Sequence, residues 1–86
     1  MSHLPFPLTM AALERIWYLD GEAKHGNSWE TREDHVDLNK ADKHRHAGRD
    51  EEAPMLDLES GELPSEHELL RLMCVNERKR RRMDAD

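Results

Sequence analysis

Large apolar anchors are scarce in this chain: aromatic residues fill 5% of its 86 positions, as one Phe, one Tyr and two Trp. Hydrophobic residues reach 36% against 37% charged. A chain this short buries only about 60% of the surface its unfolded form exposes. These numbers predict one domain with a thin core, completed by a partner chain and most simply by a second copy of itself. Cysteine is almost absent. Cys74 stands alone, which excludes an intramolecular disulfide and any cysteine-rich zinc module. It reads as a small apolar residue on a helix. No stretch approaches the roughly 18 apolar residues of a membrane span, and Met1–Leu8 lacks the basic flank and apolar run of a signal peptide. The cytoplasm is therefore the expected compartment and no membrane partner is expected. Gly-rich phosphate loops, internal repeats and strand-like alternation of useful length are also missing, which leaves an all-α reading.

What is present is charge, unevenly distributed. The net charge of −6 conceals eight acids and no Lys or Arg between Asp50 and Glu68, followed by six bases opposed only by Glu77 between Arg71 and Arg82. The two blocks are expected to attract each other.

Pro5 and Pro7 hold the start of the chain extended, giving an arm over 1–9. Thr9 caps a first helix over about 10–25, with Met10, Leu13, Ile16 and Trp17 at helical spacing, Gly21 as a weak point and Gly26 as the stop. Thr31 and Asp34 open a second helix that runs to about Ala47, before Gly48. Its apolar content is only Val36, Leu38 and Ala41, so it is expected to line a polar cavity or an interface, or simply to lie solvated. A long acidic loop spans 48–64, pinned at its middle by Met55 and Leu56. Ser65-Glu66-His67-Glu68 has the pattern of a capping box for a third helix, and 83–86 forms a tail. The expected architecture is thus a small three-helix domain with a long acidic loop between its second and third helices, completed by oligomerisation.

Hydrolysis of a phosphoanhydride without a covalent intermediate needs acids that hold a divalent ion, which positions water against phosphorus. Oxygen ligands suit magnesium or manganese. Asp57 with Glu59, Glu33 with Asp37, and Glu66 are the candidate acids, each with the plainer role of a solvated surface acid. A site built from histidine is disfavoured by spacing. His44 and His46 point about 160° apart on a helix, and His35 and His46 lie too far apart along it to chelate one ion.

Ordered along the chain are Lys24-His25-Gly26, Trp29-Glu30, Lys43-His44 and Asp57-Leu58-Glu59-Ser60-Gly61. Together, over roughly residues 8–75, they resemble a mostly phage and bacterial family, the dATP/dGTP diphosphohydrolase N-terminal domain. In that family a Lys-Tyr-Gly run, an Asn-Trp pair, an Arg-His and an Asp-Pro-Glu-Ser-Gly loop stand in this order. Leu58 replaces the proline, and only His67 remains of the histidine-rich stretch after Ser-Gly. The Glu-Glu-x-x-Glu and Glu-x-x-Asp pattern of MazG-type pyrophosphohydrolases is absent.

The resemblance implies a compact all-α fold, a homo-oligomer, and removal of pyrophosphate from a deoxynucleoside triphosphate, or binding of one by a relative that has lost catalysis. It implies that Asp57 and Glu59 hold Mg²⁺ or Mn²⁺, that His44 contacts phosphate or orients water, that Lys24 neutralises phosphate charge, and that Trp29 stacks on the base. Trp29 as a core anchor and Lys24 as an exposed helix-end lysine are the plainer alternatives. A different function class is also open: a small acidic phage-type interaction protein that binds and inhibits a host defence protein through its acidic loop. Nucleic-acid binding by Arg78-Lys79-Arg80-Arg81-Arg82 ranks third, because the net charge is negative and stacking aromatics are missing nearby.

Overall fold

The computed structural model describes residues 4–20, 26 and 28–85, and among these residues it contains three α-helices and no strand. Helix α1 spans Pro7–Arg15 and runs on as a π-helical turn, Ile16–Asp20. A 3₁₀ turn at Ser28–Glu30 precedes α2, Asp34–Arg49, and α3 covers Pro64–Ala85. No helix among the described residues is long and apolar enough to cross a membrane.

Helices α2 and α3 form an antiparallel hairpin whose seam is largely polar. On α2 the residues Asp34, Asp37, Ala41, His44 and Gly48 recur every three or four positions, and on α3 Pro64, His67, Arg71, Cys74 and Arg78 do the same. Such spacing keeps each set on one helical face. A Cβ placed on Gly48 would lie 3.6 Å from Pro64 Cβ, and the His44 and His67 rings stack with centroids 4.7 Å apart. At the other end the seam becomes an ion cluster. Asp37, with no exposed surface, receives Arg32 and Arg71 at Oδ1 and Arg78 at Oδ2, each at 2.8 Å.

Burial by itself would raise the Asp37 pKa, yet the arginine hydrogen bonds outweigh it and hold the carboxyl below its ordinary value. Arg78 also reaches Asp34 Oδ1 (2.9 Å) and donates to the Trp29 carbonyl (2.8 Å). One guanidinium thereby ties α3, α2 and the 3₁₀ turn together. The buried carboxylate is tolerated because three guanidiniums surround it: Oδ1 accepts hydrogen bonds from Arg32 and Arg71, while Oδ2 has the Arg78 charge at 2.8 Å but no hydrogen bond of its own.

The apolar core is small, as the composition implies. Ala12, Leu13, Ile16, Ala41, Cys74 and Val75 are its buried members among the described residues. The radius of gyration, 13.6 Å, exceeds the roughly 12 Å of a globular chain of this length. An elongated hairpin encloses little volume, and Leu69, Leu72 and Met73 on α3 remain 40–42% exposed.

Several boundaries differ from expectation. Helix α1 begins at Pro7, because proline at the first helical position sacrifices an amide that has no partner there anyway. Its predicted extension to 25, and Gly21, lie outside the described residues. Gly26 has a left-handed φ of +68°. Thr31 does not cap α2. Its amide closes the 3₁₀ turn onto the Ser28 carbonyl, and α2 starts three residues later with Glu33 at the cap and continues through Gly48.

The predicted Ser65–Glu68 capping box does not form; only a half-box stands two residues earlier, where the Leu63 amide donates to Glu66 Oε1 (2.8 Å) and Pro64 opens the helix, because a leucine has no side-chain acceptor to return the bond. Residues 83–85 continue α3 rather than forming a tail. Met55 and Leu56 are 80% and 46% exposed and do not anchor the loop. Glu62 does so, through a two-pronged pair with Arg15 at 2.8 Å. Among the described residues, Arg71, Arg78, Arg81 and Arg82 of α3 pair with Asp34 and Asp37 of α2 and with Glu30 and Glu77.

Candidate functional site

The loop before α3 is built around Asp57. Its Oδ1 accepts the amides of Glu59 (2.9 Å) and Ser60 (3.0 Å), while its backbone N–H and C=O bond to the Glu62 carbonyl and the Gly61 amide, both at 2.8 Å. The side chain thus mimics a backbone turn, and Gly61 closes the loop at φ +74°. Chiefly through the Ser60 amide, this arrangement holds the Asp57 carboxyl below the usual carboxylate range, so it is anionic at neutral pH. Ser60 Oγ then meets His67 Nε2 at 2.6 Å, which fastens the loop to α3.

His67 in turn stacks on His44 from α2. Burial, reinforced by His67, pushes the His44 pKa down against the opposing pull of Asp57. At neutral pH His44 is therefore an uncharged imidazole, able both to donate and to accept a hydrogen bond.

These groups face a cavity of about 470 Å³ between the π-helical turn, α2, the loop and α3. Its polar part is lined by Lys40, Lys43, His44, Asp57, Glu59, His67 and Arg71, and its apolar part by Ile16, Trp17, Ala47, Leu70 and Cys74. The volume falls within the ordinary range of small-molecule sites, about 300–1,000 Å³, while the lining is more charged than is usual for them.

No family model, no curated protein and no solved structure matches this chain.

The site therefore stands on its own geometry. Of the residues singled out in the sequence, His44, Asp57 and Glu59 share this cavity. Lys24 lies outside the described residues. Trp29 lines an adjoining small pocket that shares Trp17, Leu70 and Cys74 with this cavity; its ring is edge-to-face with Trp17 at 5.7 Å and Arg81 lies over it at 4.8 Å. Among the described residues no group of three or more His, Cys, Asp or Glu is arranged to hold a metal ion. Asp37, a candidate acid, is committed to the arginine cluster.

Four polar lining residues were not singled out as site residues. Lys43 and His67 served only as motif companions, Arg71 as part of a basic block, and Lys40 not at all. The available signal was register: Lys40, Lys43, His44 and Ala47 lie three and four apart on one helix, as do His67, Leu70, Arg71 and Cys74 on the other.

Proposed function

We propose that this chain is a nucleotide diphosphohydrolase-like protein that binds, or hydrolyses, a deoxynucleoside triphosphate in the cavity between α2, α3 and the Asp57 loop. The observation that carries this reading is the convergence of Lys40 and Lys43, beside the Asp37-paired Arg71, with two imidazoles and two carboxylates on one 470 Å³ cavity. Cations neutralise a polyphosphate, and neutral His44 suits hydrogen bonding to a phosphate oxygen or to water. Magnesium is bound in many nucleotide sites by one or two carboxylates plus the substrate's own phosphates, rather than by an all-protein cage. Asp57 and Glu59 fit that pattern, and would hold Mg²⁺ or Mn²⁺; the ion would supply charge neutralisation at the phosphates. The proposal keeps the family resemblance as its rationale for a deoxynucleotide, and extends to self-association through the exposed apolar side chains of α3.

Incubation of the purified protein with each dNTP and Mg²⁺, followed by pyrophosphate, tests catalysis, while calorimetric titration tests binding. Binding is expected to weaken at least tenfold when EDTA removes the metal and in the Asp57→Asn/Glu59→Gln double variant. Absence of both binding and turnover for all dNTPs would dismiss the reading.

A second reading, an interaction protein that captures a host protein, draws on one observation: Met55 and Leu58 stand 80% and 87% exposed within the acidic loop. Replacing both with serine is expected to abolish such a complex and to leave nucleotide binding unchanged. The nucleic-acid reading gains less, since Arg78, Arg81 and Arg82 are already paired with carboxylates.

A further inference from the structure

We infer that Trp17, rather than Trp29, is the platform for an aromatic base, and that the ligand of the cavity is a base-bearing polyphosphate rather than an inorganic one. This rests on the polyphosphate reading of the cavity's charged lining and assigns a role to its aromatic member. The same cavity that gathers Lys40, Lys43, His44 and His67 is also walled by Ile16, Trp17, Leu70 and Cys74. A ligand that uses both kinds of side chain joins an anionic segment to a flat or apolar one. Trp17 is half-buried and contributes to the cavity wall. Trp29 does not line this cavity, and the Arg81 guanidinium lies over its ring at 4.8 Å, on a face that a stacked base would need.

Backbone geometry supports the same assignment. Trp17 sits on the π-helical turn Ile16–Asp20, directly after α1, and a π turn rotates side chains away from the register of the preceding α-helix. Ile16 is 4% exposed and fixes the turn against the core. Trp29, held by its carbonyl to buried Arg78, braces Trp17 at an interplanar angle of 75°. Aromatic stacking tolerates any base, so this platform selects for a nucleobase without choosing among the four.

The test compares Mg²⁺-dATP with Mg²⁺-tripolyphosphate. Trp17→Leu is expected to weaken dATP binding about tenfold or more, the range of a base–aromatic stack, and to leave tripolyphosphate binding within twofold of wild type. Trp17→Phe is expected to restore most of the loss. In Trp29→Phe the single remaining tryptophan is Trp17, and its fluorescence is expected to be quenched by dATP and unaffected by tripolyphosphate. Equal affinity of wild type and Trp17→Leu for dATP, or no quenching in Trp29→Phe while dATP binds, overturns the assignment and leaves the polyphosphate reading intact. Failure of the wild-type protein to bind either compound overturns the polyphosphate reading, and this assignment with it.

Discussion

At the residue scale, two aspartates carry different burdens. Asp37 is a structural anion without exposed surface, and three arginines converge on it. Asp37→Asn removes the buried charge these guanidiniums share, although Arg78 keeps Asp34, and is expected to destabilise the fold by about 3 kcal/mol, read from urea unfolding. Asp57 organises a turn, and an asparagine side-chain oxygen can accept the same two amides. Asp57→Asn alone is therefore expected to keep its thermal midpoint close to wild type while losing Mg²⁺-dependent nucleotide affinity. A large stability loss with unchanged affinity would show that the carboxylate acts on the loop only.

At the element scale, the polar seam of the α2–α3 hairpin explains which features were legible in the sequence. Gly48 lies inside α2 without positive φ, and an added Cβ would make an ordinary contact with Pro64. Gly48→Ala is expected to stabilise by about 0.5–1 kcal/mol. Gly61, at φ +74°, is the opposite case, and Gly61→Ala is expected to cost about 1–2 kcal/mol. Thermal unfolding of the two variants checks both signs.

Three helices and an intervening acidic loop were readable from breakers and spacing, whereas the meeting of Asp57 and His44 at one cavity is a property of the fold. Their boundaries shifted where proline took the first helical position at Pro7 and Pro64. The α2–α3 interface was not readable, because apolar periodicity is the usual guide and here Asp34, Asp37, His44, His67, Arg71 and Arg78 occupy the facing positions. Trp17 has the spacing of a core residue. Its place on a cavity wall depends on what α2, α3 and the loop leave uncovered, which spacing along α1 does not reveal.

At the scale of the whole molecule, a thin core and a charged seam make stability depend on pH. Asp34 and Glu62, through their arginine hydrogen bonds, Asp57, through the Ser60 amide, and Asp37, despite its burial, all have folded pKa values below their unfolded ones. Their contribution is complete above the unfolded carboxyl value near 4 and is lost as pH falls through the folded values. His44, depressed mainly by burial, acts in the same sense at higher pH. In the window between its unfolded value near 6.5 and its lower folded value, the unfolded chain binds the extra proton, so stability falls with acidification there too. The urea midpoint is expected to decline from about pH 6.5 and more steeply below about pH 4, and His44→Gln is expected to flatten the first decline. Exposed Leu38, Leu69, Leu72 and Met73 lead to a further expectation at this scale, a concentration-dependent dimer by light scattering.

The central claim is that a deoxynucleoside triphosphate binds between α2, α3 and the Asp57 loop, and amide chemical-shift mapping with Mg²⁺-dATP tests it most directly. Saturable shifts are predicted at Lys40, Lys43, His44, the Asp57–Gly61 loop, His67 and Arg71, with a second group around Trp17. Shifts confined to Lys79–Arg82, or no saturable shifts at millimolar nucleotide, would contradict it.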